Sequence, residues 1–342
     1  DFNMKKLLTF VSAITAGAIG TAAAEVSVSG AGNFYYSSAS GDQALASQEK
    51  TMSVSGGAVN FAMSTETTNG ITVTGSASIT QDSDDVTVAG VGGAVGGMHT
   101  LTLGMDGMTV SLGDVDGAGS GTGEGGDIAT FASSHAALYT AASGAAASDS
   151  SMDNLADGHG INISTSMGAA AIDLTFVSKV DSGPSSFATT ATTTGFSNAY
   201  AINVGFDMGG AAINVAAGGS QSEVAGVDNN TATALELSYP VSDALSVTLG
   251  GSSGTIGGNA EDNIFVSAAY TIDADTTLSL GMGQGDNTTS NVLDKASVTS
   301  VNLSRALGGG VSVFAEYASL TNDSAGVKSD ATAMTVGTSV SF

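Results

Sequence analysis

Apolar and polar side chains take turns along most of this sequence, and that period of two excludes most folds before any motif is considered. Residues 71–79 set Ile71, Val73, Gly75, Ala77 and Ile79 against Thr72, Thr74, Ser76 and Ser78. Residues 202–208 set Ile202, Val204, Phe206 and Met208 against Asn203 and Asp207, and residues 172–179, 245–250 and 264–272 repeat the arrangement. The last stretch, TAMTVGTSVSF, places Met334, Val336, Thr338, Val340 and Phe342 on one side and Thr335, Gly337, Ser339 and Ser341 on the other. Successive side chains of a strand point to opposite faces, so each segment reads as a strand with one greasy and one hydroxyl-rich face. A soluble sandwich or a membrane barrel can be built from such strands, and one strand alone does not choose between them.

The connections choose. Sixteen candidate strands can be marked between 25–38 and 331–342, the last six at 243–253, 261–272, 274–285, 297–307, 309–320 and 331–342. Links after even-numbered strands are very short, as at Asp106-Gly107, Gly168, Gly209, Ser242 and Asp273. Links after odd-numbered strands are longer, up to the 44-residue stretch 115–158. Tight turns at one end and long loops at the other are the anatomy of a transmembrane antiparallel β-barrel. A sandwich has no reason to segregate loop length in this way, and a solenoid would keep a fixed repeat that this chain lacks. The final strand is then expected to close onto EVSVSGAGNFYY, where Val26, Val28, Phe34 and Tyr36 alternate as well. Closure removes the unpaired edges.

The compartment follows from the first residues. Lys5 and Lys6 precede an uncharged run from Leu7 to Ile19, and Ala22 and Ala24 stand before Glu25 in small-x-small spacing. That is the pattern of a secretory signal peptide over residues 4–24, which leaves 25–342 as a single barrel domain. The run is too short for a membrane anchor, since spanning takes roughly 20 apolar residues. No Cys occurs, so no disulfide holds the exported chain. With 32 Asp and Glu against 7 Lys and Arg, nucleic acid is an unsuitable partner, because phosphate recognition needs basic groups. Disorder is not expected despite 48 Gly, because the apolar residues are spaced too regularly.

Together the signal peptide, the EVSVSGAGNF start, GMTVSLGDVDGAGSG before the longest loop, and the closing SVSF resemble a general porin of the alphaproteobacterial (Rhodobacter-type) group. The resemblance implies an outer-membrane homotrimer of sixteen-stranded barrels that passes small hydrophilic solutes and ions. It also implies that loop three folds into the lumen and that Phe342 serves as an assembly signal. Sixteen strands leave an aqueous channel rather than a packed core.

Candidate site residues then follow. Asp114, at the entry to loop three, and Asp116, Glu124 and Asp127 within it are the expected pore constriction. Ile128, Phe131, His135, Leu138 and Ala142 recur at three- and four-residue steps, which predicts one short amphipathic helix in the loop. Alternation assigns Asp173, Lys179, Asp207, Glu236 and Glu316 to the lumen, whereas Arg305 shares parity with Val301 and Leu303 at the lipid boundary. Many members of the resembling group oppose the loop acids with a basic cluster. Here the bases beyond residue 24 are only Lys50, Lys179, Lys295, Arg305 and Lys328, so a cation-selective passage is expected.

Other motifs carry less. Gly121 to Gly126, GTGEGG, has the G-x-G-x-x-G form but no β-α-β unit around it. Asp82, Asp84 and Asp85 are weak calcium candidates and more simply a solvated loop. His99, His135 and His159 are scattered and lack the spacing of a zinc site. No nucleophile elbow is present, so no enzyme and no cofactor is expected. The alternative function is a secreted or surface structural or adhesive β-protein without a pore.

Overall fold

The computed structural model describes residues 25–41, 50–67, 70–80, 100–105, 107–123, 152, 155–156, 158–178, 196–222, 229–256, 258–289, 292–324 and 326–342. They form sixteen strands. The first eight are β1 (Glu25–Gly41), β2 (Lys50–Glu66), β3 (Thr72–Thr80), β4 (Thr100–Met105), β5 (Met108–Val115), β6 (Gly158–Met167), β7 (Ala170–Ser178) and β8 (Phe196–Met208). The rest are β9 (Ala211–Ser222), β10 (Asn230–Ser242), β11 (Leu245–Ile256), β12 (Asn259–Asp273), β13 (Thr276–Thr289), β14 (Val292–Gly308), β15 (Val311–Ser324) and β16 (Val327–Ser341). Each pairs antiparallel with its sequence neighbours, and β16 returns to β1 to close the barrel. Every strand therefore has a ladder partner on both sides, which is what a sheet in lipid requires.

The two faces are chemically opposite. Phe34, Tyr200 and Ile264 are 54%, 55% and 64% exposed, and Leu235, Leu249, Tyr270, Met282, Val301 and Tyr317 share their face. On the other face stand small or hydroxyl-bearing residues, among them Ser37, Thr175, Ala201, Ala216, Ser300 and Thr335, all buried. A water-soluble fold would hide the first set, whereas a barrel in hydrocarbon turns it outward. The register carries this assignment from strand to strand. Thr175 stands opposite Ala201, Asn203 opposite Ala216, Ala234 opposite Ser252, and Ser252 opposite Asn263, so all these residues are on the inward face.

The closing seam is stitched by side chains as well as by the ladder. Ser37 and Thr335 hydroxyls meet at 2.7 Å on the inside, and Ser40 and Thr332 meet at 2.9 Å on the outside. Ser339 Oγ donates to Asn33 Oδ1. Beyond the last rung of β16, Phe342 N donates to Gly30 O and Gly30 N to Phe342 O, each at 3.0 Å. A β-carbon at Gly30 would stand 2.6 Å from Cε1 of the Phe342 ring, so the ring lies across the space a side chain would take.

Loop length is segregated only in part. At one end the links are 67–71 and then six two-residue turns, as expected. At the other end the links 42–49, 81–99, 116–157, 179–195 and 223–229 are followed by three of two residues each, at 257–258, 290–291 and 325–326. The sequence predicts longer links there because apolar alternation stops early. The ladder continues without it. Asp286 pairs Lys295 and Asp323 pairs Lys328 in register, since main-chain hydrogen bonds persist where the outward face turns polar. The leader 4–24 and the helix expected around residues 128–142 lie outside the described residues.

Candidate functional site

The third long link, 116–157, begins where β5 ends, and its first arm does not leave the barrel. Asp116 O accepts from Thr175 Oγ1 at 3.1 Å, and Ala118 N donates to the same Oγ1 at 2.9 Å, which fixes the arm on the inward face of β7. Thr122 Oγ1 reaches Asn203 Oδ1 on β8 at 3.3 Å. Asn263 Nδ2 on β12 donates to Gly123 O at 3.2 Å. Asn263 is itself held, because its Oδ1 accepts from Ser252 N at 2.5 Å and Ser252 Oγ at 3.1 Å. Between these points the arm lies on small residues. Gly119 sits against Ala216 of β9, while a β-carbon at Gly123 would come within 2.9 Å of the Ala234 methyl and 2.6 Å of Gly251 O. Both glycines also have φ near +76° and +77°, a region other residues avoid. The link's returning end packs on the same wall: Met152, Leu155 and Ala156 cluster with Val115, Ala118, Val177, Ala199 and Ala201.

The acids expected at the constriction are not all brought together. Asp116 is exposed while its neighbours Val115, Gly117 and Ala118 are buried, so its carboxylate faces away from the wall. Asp114 is a correction. It pairs His159 two rungs beyond Leu112–Ile161, and alternation sets it with Leu112 on the outward face, apart from Asp116. The cause is that β5 stays in the ladder through Val115, so strand parity, not the loop, orients Asp114. Glu124 and Asp127 lie outside the described residues, as do Lys179 and the calcium candidates Asp82, Asp84 and Asp85.

The strand acids do take inward rungs. Asp173 shares a rung with Asn203 and Ser164, Glu236 with Asn214 and Gly250, and Asp207 with Ala212. Asp207 also caps its turn, where Oδ1 accepts from Gly210 N at 3.2 Å. Glu316 is only 2% exposed and accepts from Asn302 Nδ2 at 3.0 Å, a bond that offsets part of the cost of burying a carboxylate. Glu25, Glu66 and Glu261 hold inward rungs too and were not foreseen, although parity, counted from their strands' apolar residues, was a sufficient signal. The pegs Thr175, Asn203 and Asn263 were also missed, because sequence reveals their face but not their partner.

The bases are elsewhere. Lys295 pairs Asp286 and Lys328 pairs Asp323, both on outward rungs, and Lys50 pairs Ser38 in the β1–β2 ladder. Arg305 is outward beside Thr276, with Nη1 2.9 Å from Thr276 Oγ1 and 3.4 Å from Asp273 Oδ2. Among the described residues, then, the inward rungs hold acids and no Lys or Arg.

Comparison with known proteins agrees with this geometry. A family model described as Gram-negative porin matches residues 9–325. The fold is similar to that of a mutant Rhodopseudomonas blastica porin, with a TM-score of 0.61 and 16% identity over 93% of this chain and 100% of that one. It is also similar to a loop-deleted OmpT of Vibrio cholerae (TM-score 0.63, 13% identity, 93% and 99% covered). The outer-membrane channel DcaP of Acinetobacter baumannii gives a TM-score of 0.63 at 12% identity, covering 93% and 97%. No curated protein sequence matches.

Proposed function

The chain belongs to the Gram-negative porin family, and from that premise we propose that it is a passive outer-membrane diffusion channel that prefers cations. The observation that carries the preference is the partition of charge between the faces. Asp173, Asp207, Glu236, Glu261 and Glu316 hold inward rungs, whereas Lys295, Arg305 and Lys328 hold outward ones. An ion in the passage meets fixed negative charge at these rungs, and among the described residues no inward Lys or Arg opposes it. Carboxylates in a confined aqueous lumen raise the local cation concentration and exclude anions. The proposed constriction is formed by Asp116 with Glu124 and Asp127 on the loop that the inner wall holds. Neutral solutes of small size pass by diffusion, and the channel assembles as a homotrimer.

The test is a planar-bilayer recording of the purified protein across a KCl gradient. The reversal potential is expected to have the sign of a cation-selective pore. Neutralising Asp116, Glu124 and Asp127 together is expected to move it toward zero while conductance persists. Anion preference in the unmodified protein would overturn the proposal.

A further inference from the structure

The arm of loop three that crosses the inner wall rests on a track of minimal side chains. Ala216 and Ala234 are 1% and 5% exposed beneath it, and Gly251 presents bare backbone to Gly123. The arm's own contact residues there are glycines, so backbone meets methyl with no side chain between. Three polar pegs, Thr175, Asn203 and Asn263, hold it down along its length. A wall of larger residues would carry the same arm farther into the lumen, since close-packed contacts transmit added volume instead of absorbing it.

We propose that Ala216 and Ala234 are bore-setting residues: their small size lets the arm lie flat, and the width of the channel is fixed by the wall under the loop as much as by the loop itself. Asn263 is the positioning residue of the same device. It is oriented from behind by Ser252 and pins Gly123 O, the last described point of the arm. The proposal rests on the channel reading above and adds to it which wall residues decide the size of solute admitted.

The experiment compares Ala216→Val, Ala234→Val and Asn263→Ala with Ala269→Val. Ala269 also holds an inward rung, opposite Ser246 and five residues or fewer from the tight turn that follows β12, and it controls for added volume on the wall. Folding of each variant is checked by heat-modifiable gel mobility, and single-channel conductance and liposome swelling with sugars of graded size are then measured. Ala216→Val and Ala234→Val are expected to lower conductance by a factor of about 1.5 or more and to shift the size cut-off downward, while Ala269→Val leaves both unchanged. Asn263→Ala, which adds no volume and is the safer variant for folding, is expected to lower mean conductance and to raise open-channel noise as the arm lifts. A conducting protein whose three variants behave like Ala269→Val would sink the track but not the channel. An unmodified protein that conducts nothing would sink the channel reading itself.

Discussion

At the scale of single residues, the face a charge occupies decides what it does. Glu236 and Lys295 both sit in regular strands, yet one holds an inward and the other an outward rung. Replacing Glu236 with Lys puts a base where the described wall has none, and the zero-current potential in a salt gradient is expected to fall toward zero. Replacing Lys295 with Glu changes net charge by the same amount in the opposite sense, but on the outer surface, and is expected to leave that potential unchanged. Equal shifts in the two variants would mean that total charge, not its placement, governs selectivity. Removing the Lys295–Asp286 pair, 3.2 Å apart and well exposed, should alter stability by no more than about 0.2–1 kcal/mol in a double-mutant cycle. Much of this was legible in the sequence, because alternation alone places Asp173, Asp207, Glu236 and Glu316. Asp114 obeys the same alternation, which sets it outward with Leu112, although its place at the mouth of loop three suggests the constriction.

At the scale of elements, the seam between β1 and β16 is the joint that makes a sheet into a barrel. Valine has the higher strand propensity, so Gly30→Val would stabilise an ordinary strand position. Here the Phe342 ring occupies the space, and the substitution is expected to reduce the yield of folded barrel when denatured protein is returned to detergent micelles. Phe342→Ala is expected to reduce it as well, Ser341→Ala hardly at all, and Gly30→Val combined with Phe342→Ala no further than Phe342→Ala alone. A strictly additive double variant would show that the ring and the glycine act separately. The sequence foretold this pairing of ends from apolar alternation, but not the seat beneath the ring, which depends on residues more than three hundred positions apart. It also foretold the number of strands, yet cut β11 to β16 short, since hydrophobic pattern reports the depth of lipid around a strand and not the extent of its hydrogen bonds.

At the scale of the whole molecule, an inner surface of acids and an outer surface of exposed aliphatic and aromatic residues imply a protein that extracts with outer membranes and needs detergent. The cation preference is expected to shrink as salt rises from millimolar to molar, because the screening length falls to roughly 3 Å at 1 M and no longer reaches across the lumen. A reversal potential per decade of gradient that is constant across that range would argue against fixed charge as its origin. The general plan was readable from the spacing of strands, whereas the path of loop three was not, since its hold depends on Thr175, Asn203 and Asn263 arriving side by side only after closure. One consequence lies outside the channel. Between β11 and β16 both rims are finished by two-residue hairpins, so that flank offers almost nothing beyond its ladder, while the links of β1 to β10 hold nearly all the free sequence at the far rim. A change of length in those links leaves the paired strands in register, whereas an insertion between β11 and β16 must break a two-residue hairpin.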